Sequence, residues 1–443
     1  MEVKINETTL ISPSSPPFNQ DHVLPLSHLD TDRNMNVTFR YLRVYLNNGA
    51  DHKQQPSNVI AAALSSALVH YYPLAGTLRR RDTDNRLEVF CSGDKGVPLI
   101  NGTVNCTLES LNYLDDPDYD FVERLVPDPN QDDGLINPCI LQITAFECGG
   151  YTLGAALHHA LCDGLGATQF FNVMAELARG ADRISVEPVW DRTSLLSPRE
   201  PPRFEGAVKE FLRLEKGSEP YGHAGKVVRE CFNVKDESLD RFKSLLLEKS
   251  GSNFTTFEAL GAFLWRAKVK AAGINGDEIV KFTYAMNIRR ILKPALPFGY
   301  WGNGCVPMYA QLLAKELLDQ PIWKTAEVIK KSKMNASDEY VRSFIDFQDV
   351  HFGDGITAGN RVSGFTDWRH LGHSTVDFGW GGPVTVLPLS RKLLGSVEPC
   401  FFLPYSSANA GEKDGFKVLI TLEETALGVF KKEMEKFSSQ EFL

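Results

Sequence analysis

The chain has 443 residues, of which 43% are hydrophobic and 23% are charged, and its formal net charge is -9. These values are typical of a soluble globular protein of about two domains, and they exclude a collagen, a disordered chain and a disulfide scaffold. The acidic balance argues against a nucleic-acid partner, because nucleic-acid binding surfaces are usually basic.

No secretory signal is expected at the start of the chain. The opening residues, MEVKINETTLISPSSPPF, lack the basic and apolar regions of a secretory signal, and no apolar run reaches the length of a membrane span. Hydrophobic periodicity then predicts, in chain order, a strand at 39–46, a helix capped by Ser57 and ended by Pro73, and a strand at 87–90. A hairpin over 140–157 and a helix over 167–178 follow.

The second half begins after a stretch rich in Pro, Glu, Arg and Gly at 185–225, which predicts a linker between domains. The elements predicted beyond it are a helix over 256–272 with a capping box at Thr255 and Glu258, a strand at 279–286, helices within 311–345, several strands, and a final helix near 424–437. Strands and helices mix in both halves without a strict βαβ alternation. The pattern therefore predicts an α/β class with mixed α+β layers.

The segment HHALCDG at 158–164 has the densest chemistry. It follows a predicted buried strand and precedes a helix, where catalytic groups are often displayed. A histidine there could accept a proton from a hydroxyl or an amine, and a nearby carboxylate could orient the ring or shape the loop. Three H-x-x-x-D matches occur, at His28, His159 and His373, so spacing alone does not choose. The strand end, the second histidine and the glycine-flanked turn favour His159.

Other catalytic classes are not supported. The chain has no G-x-S-x-G, G-x-x-x-x-G-K-S/T or H-E-x-x-H motif, and its eight cysteines are scattered without a C-x-x-C pair. We therefore expect reduced thiols in the cytoplasm and no metal. A second unusual segment, DFGWG at 377–381, places an aromatic residue between two glycines, and physical reasoning favours a structural loop that wedges two domains together.

Together, HHALCDG and DFGWG resemble the two signatures of the plant BAHD acyl-CoA-dependent acyltransferases, H-x-x-x-D-G and D-F-G-W-G. Further blocks are similar to that family along the whole chain: LPLSHLD (24–30), YYPLAGTLRR (71–80), TTFEALGAFLWRA (255–267) and NIRRILKPALPFGYWGN (287–303). The pattern is most similar to the branch that contains alcohol and taxane acyltransferases.

The resemblance implies a two-domain fold of chloramphenicol-acetyltransferase type, with mixed sheets flanked by helices and a solvent channel between the domains. The first domain is expected to span 1–205 and to include a returning stretch at roughly 382–402. The second is expected to span 206–443 and to carry DFGWG. A monomer without a nucleic-acid partner or a membrane span is expected.

The resemblance also implies roles for individual residues. His159 is the expected general base, Thr366 a candidate oxyanion donor, and Asp163 a structural partner of Arg289. The remaining assignments are substrate binding by His158 and Trp368, structural roles for Asp377, Phe378, Gly379, Trp380 and Gly381, and coenzyme A contacts from Thr256, Lys268, Arg290 and Trp301. Acyl-CoA is expected as a co-substrate, with no permanently bound cofactor.

The expected reaction is transfer of an aliphatic or aromatic acyl group, such as hydroxycinnamoyl, from a CoA thioester to the hydroxyl of a plant specialised metabolite or alcohol, through a ternary complex without an acyl-enzyme. The alternatives are an N-acyltransferase acting on an amine or polyamine, a non-catalytic relative acting as a scaffold, and a condensation-type domain fed by a carrier protein.

Overall fold

The computed structural model describes residues 1–47, 55–129, 134–204, 206–211, 225–352, 361–409 and 414–439. The strands in these ranges are β1 (Val3–Ile11), β2 (His22–Pro25), β3 (Thr38–Tyr45), β4 (Thr77–Arg80), β5 (Leu87–Cys91), β6 (Val97–Val104), β7 (Cys139–Phe146), β8 (Tyr151–His158), β9 (Val227–Val234), β10 (Ile279–Asn287), β11 (Cys305–Leu313), β12 (Val362–Asp367), β13 (Thr385–Pro388), β14 (Cys400–Leu403) and β15 (Phe416–Glu423). The helices are α1 (Pro56–His70), α2 (Tyr119–Val122), α3 (Gly164–Ala178), α4 (Ala207–Phe211), α5 (Asp236–Ser250), α6 (Thr256–Ala271), α7 (Ala314–Asp319), α8 (Ile322–Lys333), α9 (Asp338–Val350) and α10 (Leu427–Ser438).

Two six-stranded mixed sheets form the framework. The first has the order β1-β6-β7-β8-β3-β13, and the second has the order β11-β10-β12-β14-β15-β9. Strands β6 and β7 run parallel in the first sheet, as do β10, β12 and β14 in the second, and the other neighbours are antiparallel. A small sheet, β2-β5-β4, lies apart from both. The predicted mixed α/β fold class is confirmed.

Strand β13 joins the first sheet although it comes late in the chain. It pairs antiparallel with β3, and Leu387 lies opposite Leu42. Strand β14 instead pairs with β12 and β15 in the second sheet. The expected returning stretch at 382–402 therefore ends too late, because Cys400–Phe402 hydrogen-bond within the second sheet. The predicted boundary at residue 205 lies outside the described residues.

The core of the first sheet is built around β8, which is buried at all eight positions. Gly154 lies at its centre, and a Cβ atom there would come within 2.3 Å of the backbone oxygen of Leu125. Helix α1 packs on this sheet through Ile60, Leu64 and Leu68, which lie on one face of the helix. Burial of each such side chain contributes about 1.5–3 kcal/mol. The result is a rigid strand end from which the next residues project.

Local signals predicted several elements well and others less well. The β7–β8 hairpin and the capping box of α6 are present. Helix α3 begins three residues earlier than predicted, because the Asp163 side chain accepts a hydrogen bond from the Gly166 N–H and caps it. The prediction for Ser57 is wrong, since α1 begins at Pro56 and its N-cap, Gln55, makes no side-chain capping bond.

The predicted helical region at 311–345 begins too early, because residues 311–313 complete strand β11 in its pairing with β10. Helices α7, α8 and α9 follow it. The final helix also begins three residues later than predicted, at Leu427. None of the helices described is both long and apolar enough to cross a membrane.

Candidate active site

A cavity of about 410 Å³ lies between the two main sheets. Its walls come from β3 and the end of β8 on one side and from β10 and β12 on the other. Most of its lining is apolar or aromatic, with a few polar side chains, as in many small-molecule sites. His159, Asp163, Thr366 and Trp368 all line it. The fold thus brings together residues that are up to 209 positions apart in the chain.

The two neighbouring histidines have different environments. His158 is the last residue of β8 and is fully buried, and its Nδ1 accepts a hydrogen bond from the Ala160 N–H. His159 follows the strand, donates its backbone N–H to the Val37 oxygen at 2.8 Å, and lines the cavity. The prediction that His158 binds substrate is therefore wrong, because its ring is enclosed in the core and does not line the cavity.

Asn303 determines the protonation pattern of the His159 ring. The Asn303 Nδ2 donates to the His159 backbone oxygen at 2.8 Å and to Asp30 Oδ1 at 2.9 Å. Because both partners are acceptors, the amide nitrogen must face them, and Oδ1 must face the ring. Oδ1 lies 3.1 Å from His159 Nδ1, so Nδ1 carries the proton. The lone pair is then on Nε2.

Asp30 anchors this arrangement from behind. Its side chain is fully buried and accepts hydrogen bonds from the Ser27 backbone and hydroxyl, at 3.0 and 2.7 Å. The Arg192 guanidinium lies 3.3 Å away and compensates its charge. A backbone N–H of Asn303 also binds Asp30, at 2.8 Å. The amide that contacts His159 is therefore held by a buried charged network, as accurate positioning of a base requires.

The electrostatic environment favours a neutral His159 ring. Burial lowers the pKa of His159 below its usual value, although Asp163, Asn303 and Asp30 oppose this effect. A ring with a lowered pKa is unprotonated at neutral pH. It can accept a proton through Nε2 from a group bound in the cavity.

Asp163 faces Arg289 and not His159. Two guanidinium nitrogens of Arg289 lie 2.8 and 3.0 Å from its two oxygens, and the Gly304 and Gly166 N–H groups each donate at 2.9 Å. Burial alone would raise the pKa of Asp163, but Arg289 and the N–H donors outweigh it and lower the pKa. The carboxylate thus caps α3 and ties it to the chain after β10. The expected Asp163–Arg289 pair is present.

An aromatic wall extends from His159 along the cavity. The Phe39 ring lies 6.1 Å from the His159 ring, and Trp368 lies 5.7 Å beyond Phe39. The Trp368 backbone N–H donates to the Phe402 oxygen at 2.9 Å, which fixes it beside β14. Thr366, two residues earlier on β12, lines the cavity as well. This wall suits a flat or apolar ligand.

The DFGWG segment folds around its first side chain. Asp377 Oδ1 accepts hydrogen bonds from the Gly379 and Gly381 N–H groups, at 2.7 and 2.8 Å. Both glycines have positive φ angles, +109° and +91°, which disfavour a residue with a Cβ atom. The carboxylate and the glycines therefore define one compact turn.

The aromatic residues of the same segment are buried in the first core. Phe378 packs 5.8 Å from the Tyr45 ring, and Trp380 packs 5.7 Å from the Tyr151 ring. No residue of the segment is among those that line the cavity. Its contacts are those of a packing element.

Two of the four expected coenzyme contacts are wrong. Lys268 is buried, with its ammonium 3.4 Å from the Glu398 carboxylate, so it cannot meet a phosphate. Trp301 is fully buried, and its Nε1 donates to the Gly166 oxygen at 2.9 Å. Thr256, at the first turn of α6, and the exposed Arg290 remain predictions.

The cavity also contains two thiols, Cys162 and Cys305. Burial raises the pKa of each thiol well above its usual value. A cysteine acts as a nucleophile only as a thiolate, so neither is activated. Among the described residues, no group of three or more His, Cys, Asp or Glu side chains could hold a metal ion.

Sequence reasoning assigned no role to Asn303 or His373. Asn303 is the last residue of the block at 287–303 and follows the aromatic segment FGYWG. A polar side chain at that place was the signal in the sequence that could have indicated a role. His373 is one of the three H-x-x-x-D histidines, and its polar neighbours in sequence argued against a role. Both line the same cavity as His159.

Comparisons with known proteins cover nearly the whole chain. A family model described as "Transferase family" matches residues 1–437. A spermidine sinapoyl-CoA acyltransferase of Arabidopsis thaliana is 33% identical over 441 residues, which are 97% of this chain and 96% of that protein. A fatty alcohol:caffeoyl-CoA acyltransferase of the same plant is 34% identical over 438 residues, with 97% of each chain covered. The crystal structure of vinorine synthase matches in fold with a TM-score of 0.75, at 20% identity over 98% of each chain.

Proposed function

This chain belongs to the BAHD family of plant acyl-CoA-dependent acyltransferases, and we propose that it transfers an acyl group from a CoA thioester to the hydroxyl of a small acceptor. The observation that carries the proposal is the Asn303 contact, which leaves His159 with a lone pair on Nε2 in the wall of the cavity. A base in that position serves direct transfer from donor to acceptor.

In the proposed reaction, His159 Nε2 takes the proton of the acceptor hydroxyl as its oxygen attacks the thioester carbonyl carbon. The new C–O bond forms, and the carbonyl π electrons move to the oxygen of a tetrahedral intermediate. When the intermediate collapses, the C–S bond breaks, and the imidazolium returns its proton to the departing thiolate. The raised thiol pKa values of Cys162 and Cys305 support a path without an acyl-enzyme.

Thr366 is the proposed donor to the oxyanion. Its hydroxyl belongs to a strand residue at the cavity wall, so its backbone is fixed before the reaction begins. A donor held in place needs no reorganisation as negative charge develops, and such donors stabilise the transition state by several kcal/mol.

The charges of the cavity support an uncharged acceptor. The carboxylates in its lining are Asp163, paired with Arg289, and Asp367, which receives two hydrogen bonds from the Arg369 side chain at 2.9 and 2.6 Å. A polyamine carries several positive charges and needs carboxylates that are free to pair with it. An alcohol or phenol needs only the base and a few hydrogen-bonding groups.

The second candidate is acylation of an amine. Its support is the name of the spermidine sinapoyl-CoA acyltransferase, which is as similar to this chain as the fatty alcohol enzyme. His159 could serve an amine in the same way, since an ammonium group must lose a proton before it attacks. The two candidates therefore share the base and differ in the acceptor.

The two sheets support the proposed division of the chain into halves that share this site, with a boundary near residue 205. The first sheet draws five of its six strands from residues before 159, and the second draws all of its strands from residues after 226. We also propose that the protein is a monomer and that it is located in the cytoplasm.

The test is release of free thiol from acetyl-, benzoyl- and hydroxycinnamoyl-CoA in the presence of aliphatic alcohols, aromatic alcohols or spermidine. We expect turnover with alcohols, and a loss of at least about 100-fold in kcat for His159→Ala. The matched control is His70→Ala, whose ring pairs with Glu187 away from the cavity and whose loss should leave the rate unchanged. Turnover with spermidine alone would support the amine candidate. No turnover with any pair would support the non-catalytic alternative.

A further inference from the structure

The His373 ring lies in the wall of the cavity. It lies in a single 3₁₀ turn, His373–Thr375, before the DFGWG segment. Its ring centroid is 4.6 Å from that of Trp368, at an interplanar angle of 43°. Among the described residues, neither of its ring nitrogens has a hydrogen-bond partner. Burying both nitrogens of an imidazole without hydrogen-bond partners is costly, and such sites in folded proteins call for a ligand or a functional reason.

A second unpartnered polar group lies behind the same wall. Arg43 on β3 is fully buried, and its three guanidinium nitrogens have no acceptor among the described residues. Its guanidinium carbon is 4.9 Å from the ring of Tyr41, which lines the cavity, and 4.2 Å from the ring of Phe171. The aromatic faces stabilise this charge in part, but in the described part of the chain no carboxylate forms an ion pair with Arg43.

The ionisation state of His373 follows from these surroundings. Burial lowers the pKa of His373 to about 3, and the charge of Arg43 acts in the same direction. The ring is therefore neutral at physiological pH and has one N–H donor and one acceptor. A half turn about its Cβ–Cγ bond exchanges nitrogen and carbon positions, so either ring edge can present a polar atom to the cavity.

We propose that His373 is a specificity-determining residue that binds a second hydroxyl on the acceptor, at a place separated from His159 by the rings of Phe39 and Trp368. Phe39 and Trp368 form a wall of aromatic rings from His159 to His373, with centroid steps of 6.1, 5.7 and 4.6 Å. The acceptor is then an aromatic alcohol with a hydroxyl at each end. A hydroxyl both donates and accepts, as a neutral imidazole does, whereas an ammonium at this place would be repelled by Arg43. This inference rests on the proposed function.

The experiment compares two acceptors that differ by one hydroxyl, 4-hydroxycinnamyl alcohol and cinnamyl alcohol, with the acyl-CoA that gives the fastest thiol release. The variants are His373→Phe, which keeps a flat ring and removes both nitrogens, and the control His370→Phe at an exposed site. We expect the wild type to favour 4-hydroxycinnamyl alcohol in kcat/KM. We expect His373→Phe to lower that preference by about 10-fold to 100-fold, because a ligand hydroxyl then lacks its partner.

Binding is compared in the same way. Calorimetry measures the affinity of each alcohol for the single variant His159→Ala and for the double variant His159→Ala/His373→Phe. A selective loss of affinity for 4-hydroxycinnamyl alcohol in the double variant supports the inference, even if no acyl-CoA gives turnover and the proposed function fails. An equal effect of His373→Phe on both alcohols, in kcat/KM or in affinity, would overturn it. The inference would also be overturned if His370→Phe lowered the preference for 4-hydroxycinnamyl alcohol as much as His373→Phe does.

Discussion

The side-chain oxygen of Asn303 lies 3.1 Å from Nδ1 of His159 and places the ring proton on that nitrogen. The two residues come from different halves of the chain, 144 positions apart. A histidine that must accept a proton through Nε2 needs Nδ1 to be protonated, because a neutral imidazole carries one proton. Asn303 is thus a positioning residue, because it acts on the reaction only through the His159 ring that it holds.

Replacing Asn303 by alanine should change the pH dependence of the rate as well as its size. The Asn303 contact raises the pKa of His159 against the lowering effect of burial, so its removal should lower that pKa further. The base is active when neutral, and the acidic limb of the kcat/KM profile should therefore move to lower pH. The plateau rate should fall by about 10-fold to 100-fold, because the Nε2–H tautomer becomes accessible.

The control for this change is Asn287→Ala, which removes a second asparagine from the cavity wall. It should leave the acidic limb in place, since the Asn287 side chain accepts a hydrogen bond from the Arg289 N–H, whereas the His159 ring is bonded to Asn303. A limb that shifts equally in both variants would contradict the positioning role of Asn303.

Replacing Asp163 by asparagine should reduce stability together with activity. The carboxylate binds two guanidinium nitrogens of Arg289 and two backbone N–H groups, and the pair is largely buried. Removing one partner leaves a buried charge uncompensated, which costs about 3–5 kcal/mol. Urea denaturation at pH 7 measures this loss.

The matched control for Asp163→Asn is Asp277→Asn. Asp277 pairs with Lys315 at 3.0 Å, but both side chains are largely exposed. An exposed pair contributes less than about 1 kcal/mol, and the control should unfold almost as the wild type does. Loss of activity in Asp163→Asn with an unchanged unfolding midpoint would argue for a direct catalytic role instead.

The parts of this molecule that could be predicted from sequence are those with local signals. The β7–β8 hairpin follows from alternation and a glycine turn, and α6 follows from its capping box. Lys268 shows the limit of such reasoning, since its ammonium forms an ion pair with Glu398, 130 positions away in the chain. Asn303 was missed for the same reason. Contacts between segments that are distant in sequence leave no local pattern, so they are found only in the folded structure.

The buried ring of His158 should make the fold sensitive to acid. Burial lowers the pKa of His158 to about 3, whereas an unfolded chain has an ordinary histidine near 6.5. The unfolded state then binds more protons below pH 6.5, so stability is present above that pH and is lost as the pH falls toward 3. At pH 5 the loss from this residue is about 2 kcal/mol.

His158→Asn tests this prediction, because its side-chain oxygen can still accept from the Ala160 N–H. The difference in unfolding free energy between pH 7 and pH 5 should shrink by about 2 kcal/mol relative to the wild type. His370→Asn, at an exposed site, should leave that difference as it is. An unchanged difference in His158→Asn would refute the assignment of a neutral buried ring.

The turn around Asp377 predicts that Gly381→Ala destabilises the fold without a direct effect on the cavity. The φ angle of Gly381 is +91°, and an alanine there is strained by about 1–3 kcal/mol. The control is Gly428→Ala in α10, where an added Cβ meets no atom within 4 Å and the change should stabilise by up to about 1 kcal/mol. Thermal unfolding measures both. A change in KM of Gly381→Ala at a temperature where it is folded would point to a role in binding.

Thr366 supplies the sharpest test of the transition-state chemistry, because its hydroxyl is removed in one variant and kept in another. Thr366→Ala removes the hydroxyl proposed to bind the oxyanion and should lower kcat by about 10²-fold to 10³-fold while KM changes little, since the interaction forms only as charge develops. Thr366→Ser keeps the hydroxyl, loses one methyl group and should recover most of the rate. The kcat and KM of both variants are compared with one acyl-CoA and one alcohol at the pH optimum. If Thr366→Ser were as slow as Thr366→Ala, the threonine would act through packing on β12, and the oxyanion would need a different donor.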